Sequence, residues 1–247
     1  MCSRLDISFD FRSDTPGYPN ADPRAISPTL RTYQKCLWSK RLPSGVMFTL
    51  DGRTPPYLHH RSDLGEFFLS SGAVIPTFSG GPRLASIMSQ IPFQEREAFN
   101  RITHTIGGMM LFPGHRVDGK MTINVARGLH PRIRDRFDLT VECIRRHYRG
   151  EPSPLTDTLA RYADFFALFG SFQGYVEYFL LQDLVNGDGT AVKFFAPFDD
   201  FTTTPIPESL DAYRTYRQRA TEFVEARGRR ILQASSGLLK VERVAAA

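Results

Sequence analysis

Apolar positions along the chain follow two periods, and each predicts a different element. Leu30, Tyr33, Leu37 and Trp38 recur at helical spacing. Ser27-Pro28 supplies a cap and a first helical residue for them, and Pro43-Ser44-Gly45 a stop. Short apolar runs bounded by turn residues predict strands at Val46–Leu50, Tyr57–Arg61 and Met109–Phe112. Met121–Val125 predicts a further strand, joined to Met109–Phe112 as a hairpin. Leu64–Ser70 fits strand or helix equally. A helix is expected over Gln94–Thr105, stopped by Gly107-Gly108. Another follows through Ile133, Phe137, Val141, Ile144 and Tyr148, ended by Gly150. Asp14–Pro28 and Ser79-Gly80-Gly81-Pro82 read as irregular connections.

The strongest signal lies in residues 154–185. Leu155, Leu159, Tyr162, Phe166, Phe169, Gln173, Val176 and Leu180 form one stripe, and Phe165, Leu168, Phe172, Tyr175 and Phe179 widen it. A helix apolar around most of its circumference belongs in the middle of a domain. Asn186–Gly189 then reads as a turn and Val192–Ala196 as a short strand. Pro207 opens a last helix through Leu210, Tyr213, Ala220, Phe223, Arg227 and Ile231, with a frayed tail after Leu232. Strands gather in the first half and helices in the second, so the expected class is α+β. A small, mostly antiparallel sheet packs against a helical half built round an aromatic-rich central helix. One domain is expected over residues 1–247, ordered from about 9 to 232.

Composition narrows the class. Apolar residues make up 41% of the 247, which excludes disordered, collagen-like and coiled-coil chains. No uncharged apolar run nears the roughly 18 residues of a membrane span. The closest is Phe165–Val176, between Asp164 and Glu177. Cys2, Cys36 and Cys143 are too few and scattered for a disulfide framework or a zinc site. Reduced thiols and a cytoplasmic setting are expected, with no membrane partner.

The net charge of +5 is carried almost wholly by arginine. Residues 127–149 hold seven arginines and three acids, and residues 214–230 hold six and two. Acids interleaved among them predict solvated faces laced with ion pairs, such as Glu142 with Arg146. No groove-reading motif is present, so sequence-specific DNA binding is not expected.

Two clusters carry candidate chemistry. On a strand, His59 and Arg61 face one way while His60 and Ser62 face the other. Only one histidine can therefore share a site with Arg61, and the pair could offer donors to an anion; the alternative is a histidine hydrogen-bonded within the sheet. Asn124 is a polar residue in an apolar strand, and Arg127 lies at its end beside Gly128. Both could touch a ligand; the alternatives are an amide bridging strand edges and an Arg127–Asp135 ion pair. Phosphate-loop, dinucleotide-binding, esterase and zinc-protease motifs are all absent, and no metal site is indicated. Cofactor, reaction and oligomeric state are not readable.

FDFRSDTPGYPNADPRAISPTLRTYQ (9–34), YLHHRSDLGEFFLSS (57–71), INVARG (123–128), IRDRFDLTVECIRRHY (133–148) and YADFFALFGSFQGYVEYFLLQDLV (162–185) resemble a bacterial family of unknown function over residues 9–231. That resemblance implies a stand-alone bacterial cytosolic protein and no particular activity. A fainter one, His59 or His60 on one strand with Ser70-Ser71 on the next, is to enzymes that transfer ADP-ribose from NAD. Their catalytic glutamate has no counterpart, since Glu142 and Glu177 fall in helices.

These readings give a ligand binder for an anionic small molecule or nucleotide, held between sheet and helices by His59, His60, Arg61, Asn124 and Arg127. The rival is a module docking an acidic partner or nucleic acid through its arginine helices, and a third reading is an ADP-ribosyltransferase-like or defence/toxin-type enzyme.

Overall fold

Two caps set the entry of the chain into its first long helix. Asp22 accepts from Arg24 N to start α1 (Pro23–Ile26), and Ser27 Oγ accepts from Leu30 N to start α2 (Pro28–Trp38). Leu30, Tyr33, Leu37 and Trp38 are all buried, as their spacing predicts. The computed structural model describes residues 5–52, 56–79 and 84–245, with side chains as far as 235. Cys2 and the expected loop at Gly80-Gly81-Pro82 lie outside the described residues.

Strands β1 (Lys40–Arg41) and β2 (Met47–Phe48) make a two-residue antiparallel pair, shorter than the predicted Val46–Leu50. The main sheet has the order β3 (Leu58–Ser62), β4 (Gly65–Ala73), β5 (Met109–Pro113) and is antiparallel throughout. The ambiguous segment Leu64–Ser70 is therefore strand. Phe67 and Leu69 point into the core, while Glu66, Phe68 and Ser70 alternate outward. Helices α3 (Ala85–Met88) and α4 (Phe93–Thr103) lie between β4 and β5 in sequence.

Met121–Val125 is not a strand, and the expected hairpin does not form. Thr122 Oγ1 accepts from Val125 N and starts helix α5 (Ile123–Leu129). A threonine three residues ahead of a free N–H offers a cap, which outweighs the β-preference of Ile and Val. Helix α6 (Phe137–Arg149) starts later than its apolar stripe because Arg134 and Asp135 take left-handed backbone, with φ 46° and 64°. Gly150, φ 67°, closes it.

The aromatic segment is central but not one helix. It comprises α7 (Thr156–Ala160), α8 (Ala163–Ala167), α9 (Phe172–Tyr178) and a 3₁₀ turn at Gln182–Leu184. Left-handed Gly170, φ 71°, and Leu180, φ 56°, interrupt it. The breaks turn rings from both stripes onto one cluster: Phe169 lies 5.0–5.3 Å from Phe165, Tyr175, Tyr178 and Phe179. Val192–Ala196 forms no strand; Val192 makes a single bridge to Val185.

Helix α10 (Leu210–Ala245) begins three residues after Pro207 and runs on past Leu232, where fraying was expected. A Cβ on Gly107 would lie 2.1 Å from Val224 O, so only glycine lets this helix approach the start of β5. Arg227 is wholly buried and donates to Gly107 O, Met109 O and Phe179 O. Burial pushes its pKa down to about 10. The chain is α+β, and its main core runs from Leu5 to Ile231, with a smaller cluster of Leu84, Ile87, Met88, Ile91 and Tyr213. No helix among the described residues is long and apolar enough to cross a membrane. Cys143 is a free buried thiol; Cys36 is disulfide-bonded, against the expectation of reduced thiols throughout.

Candidate functional site

The expected facing of the two histidines is observed, and it separates them. His60 points into the core. Its Nε2 lies 2.8 Å from Ser62 Oγ, its Nδ1 lies 2.8 Å from Thr49 O, and its ring stacks 4.0 Å from Phe48. Every polar atom of this ring is used by the protein, which is the sheet-histidine alternative. His59 points outward, stacks 4.4 Å from Phe68 and meets Glu66 Oε1 at 2.9 Å. Arg61 is exposed on the same face, opposite Glu66 in register.

Arg127 is not on that surface. It is 1% exposed and donates to Thr140 Oγ1, Ala73 O, Val74 O, Asp135 Oδ1 and Asp135 O. Burial lowers its pKa, and Asp135 opposes that shift. Arg61 stands beside Glu66 and Arg127 beside Ala73, seven residues apart on β4, or roughly 23 Å. The two arginines do not converge.

Asn124 does reach the sheet, from α5. Its Nδ2 donates to Ser70 Oγ at 3.0 Å and to Ser71 O at 3.4 Å, while its Oδ1 is buried without a partner. Gly114 packs so closely that a Cβ there would lie 2.8 Å from both Ser70 Cβ and a Tyr57 ring carbon. The next residue, His115, meets the edge of Phe68 at 6.2 Å and of Tyr162 at 5.8 Å. Its carbonyl accepts from Tyr162 Oη, and its Nδ1 is buried without a partner.

A strip therefore runs along the outer sheet face: Arg61, Glu66 paired with His59, Phe68, Ser70, Asn124 and His115, with Tyr57 alongside. Most of these side chains are half-buried. Sequence reading missed His115, whose signal was a lone histidine after Pro113-Gly114 in a turn. The strip can stack against a planar group and exchange hydrogen bonds. Ser70 is not activated as a nucleophile by its contact, because an amide takes no proton.

A cavity of about 440 Å³ does lie between the β3–β4 turn and α8, lined by Leu42, Leu64, Glu66, Phe67, Asp164 and Leu168. Its charged groups are carboxylates, so it repels the anion expected between sheet and helices. The basic runs are largely committed elsewhere. Glu142 holds both Arg145 and Arg146 at 2.8 Å, and Arg146 also meets Asp200. Asp138, fully buried, holds Arg136, and Asp183 holds Arg230. Glu142 is thus tied into ion pairs, and Glu177 accepts from Gln173 on α9. Among the described residues no cluster of histidine, cysteine or carboxylates could hold a metal ion.

A family model described as a family of unknown function (DUF6994) matches residues 5–231. The chain belongs to that family. Comparison with curated proteins and with solved structures found no match.

Proposed function

We propose that this protein binds an anionic small molecule of nucleotide type on the outer strip of the sheet, between β3–β4–β5 and α5. The observation that carries the reading is the pair of buried, unpaired atoms, Asn124 Oδ1 and His115 Nδ1, close to Ser70 and Phe68. Buried polar atoms without partners are uncommon in folded proteins, and functional sites are one place they persist. Phe68, His59 and Tyr57 supply ring faces and edges for a base, and Arg61 supplies the planar fork that suits a phosphate. Asn124 and His115 would read polar edges of the base.

The docking-module reading draws less support, since so many arginines of both basic runs are bound to acids or carbonyls of the same chain. The bacterial cytoplasm remains the proposed setting on the family resemblance; the disulfide at Cys36 weighs against it.

A thermal-shift series with nucleoside mono-, di- and triphosphates tests the proposal. The melting temperature should rise with nucleotide concentration. Arg61→Gln and His115→Ala should each abolish most of that rise while melting like the parent in buffer. A flat response to every nucleotide removes the reading.

A further inference from the structure

A second cleft, which shares no residue with the strip, lies between the chain after β4, helix α4 and the first turns of α10. Its volume is about 160 Å³, and Thr77, Ser79, Met88, Phe93, Arg96 and Tyr213 line it with Glu97 and Asn100. That space holds on the order of five to ten water-sized groups, too few for a nucleotide.

The charge arrangement there is unusual. The Arg96 side chain makes no hydrogen bond and no ion pair with any described residue; its Nε is buried without a partner, and its guanidinium lies 5.9 Å from the Phe93 ring centre. Both acids beside it in sequence are already committed. Glu95 accepts from Arg217 at 2.7 Å, and Glu97 accepts from Arg12 at 2.7 Å. Arg217 keeps a further buried nitrogen, Nη1, unpaired one turn beyond Tyr213. Arg96 is half-buried, and an N–H removed from water is normally matched by an acceptor, so the cleft is short of one acceptor at Nε, which a small anion would supply.

The walls indicate which anion. Phe78, between two lining residues, takes left-handed backbone at φ 56° and packs its ring 5.2 Å from Tyr216. This turns Thr77 and Ser79 toward each other, with hydroxyl oxygens 2.9 Å apart. One hydroxyl proton is spent on that bond, which leaves the other to donate. Tyr213 Oη donates to Thr77 O. Met88 and Phe93 supply an apolar side, and Asn100 and the Arg12-paired Glu97 complete the lining. A fork, one hydroxyl donor and an apolar wall suit a carboxylate on a short hydrophobic body better than a phosphate, which needs donors on every side.

We propose that this cleft binds a small apolar monocarboxylate anchored by Arg96. It is independent of the sheet strip. Benzoate is the probe, with benzyl alcohol as its uncharged analogue and inorganic phosphate as the competing anion. Benzoate should raise the melting temperature of the full chain in a concentration-dependent way, and benzyl alcohol should not. Arg96→Gln should weaken benzoate at least tenfold, Arg96→Lys should weaken it less, and Arg61→Gln should leave it unchanged. No response to benzoate, an equal response to benzyl alcohol, a stronger response to phosphate, or an unchanged response in Arg96→Gln would each overturn the assignment.

Discussion

Gly72 and Asn124 are in contact at a distance that admits no side chain between them: a Cβ at residue 72 would sit 2.4 Å from Asn124 Oδ1. The asparagine cannot simply swing aside, since its Nδ2 is held by Ser70 Oγ and Ser71 O. Gly72→Ala should therefore cost about 1–3 kcal/mol, as overpacking does. Added to Asn124→Ala, the same change should cost little. Urea melts of the two single variants and the double variant measure this coupling. Strict additivity would mean that α5 is not seated on β4 in this way.

Arg127 and Arg61 should respond oppositely to loss of charge. Arg127→Gln strips donors from three carbonyls and leaves Asp135 without its cation, at a cost of about 3 kcal/mol. The side chain of Asp135 is 41% exposed, which keeps the expectation at the lower end for a buried pair. Arg61→Gln, on the surface, should stay within about 0.5 kcal/mol of the parent. Denaturant unfolding of both variants gives the comparison.

The aromatic cluster should be unforgiving. Phe166 and Phe169 are each 1% exposed, and truncating either to alanine should cost about 3–5 kcal/mol. If both variants melt with the parent, the segment is not the core.

Lys40 gives the stability a pH dependence of known sign. Its ammonium lies 4.6 Å from the Tyr178 ring centre and 5.0 Å from that of Trp38, and donates to Tyr178 O. Burial, with Arg227 nearby, pushes its pKa down to about 8. In the unfolded chain a lysine titrates near 10.4. Between those values the unfolded state binds more protons, so this residue adds stability as pH rises from about 8 to 10. Below pH 8 both states are protonated, and the penalty for the buried charge is constant and full. The melting temperature of Lys40→Met relative to the parent should accordingly be highest below pH 8 and fall steadily toward pH 10. A difference independent of pH would contradict the assignment.

Local rules read α2, β3 and the end of α6 correctly because caps and periods agreed there. Ser27 capped what the apolar spacing already marked, and Gly150 closed what Tyr148 ended. At Met121–Val125 the two signals conflicted, and the threonine cap prevailed over β-branched composition. In 154–185 the helical period was real, but left-handed Gly170 and Leu180 cut it so that rings from two stripes could meet. The candidate site was half visible. Asn124 was noticed because a buried amide needs partners, and His59 and Arg61 share a face as strand geometry requires. Arg127 was drawn toward a ligand because no periodicity shows a carbonyl cluster forming round an arginine. Arg96 escaped notice for the converse reason: flanked by two glutamates in sequence, it looks paired, yet both acids bind arginines from distant segments.

Arg227 sets an order of events on the ribosome. The carbonyls it caps at Gly107 and Met109 are synthesised long before it, with 118 residues separating Met109 from the arginine. At about 5–20 residues per second, that interval lasts roughly 6–24 s. Throughout it those carbonyls are without their guanidinium and are left to water. Only when the last helix leaves the tunnel does the guanidinium arrive to displace that water, so the first half of the chain is completed from its far end.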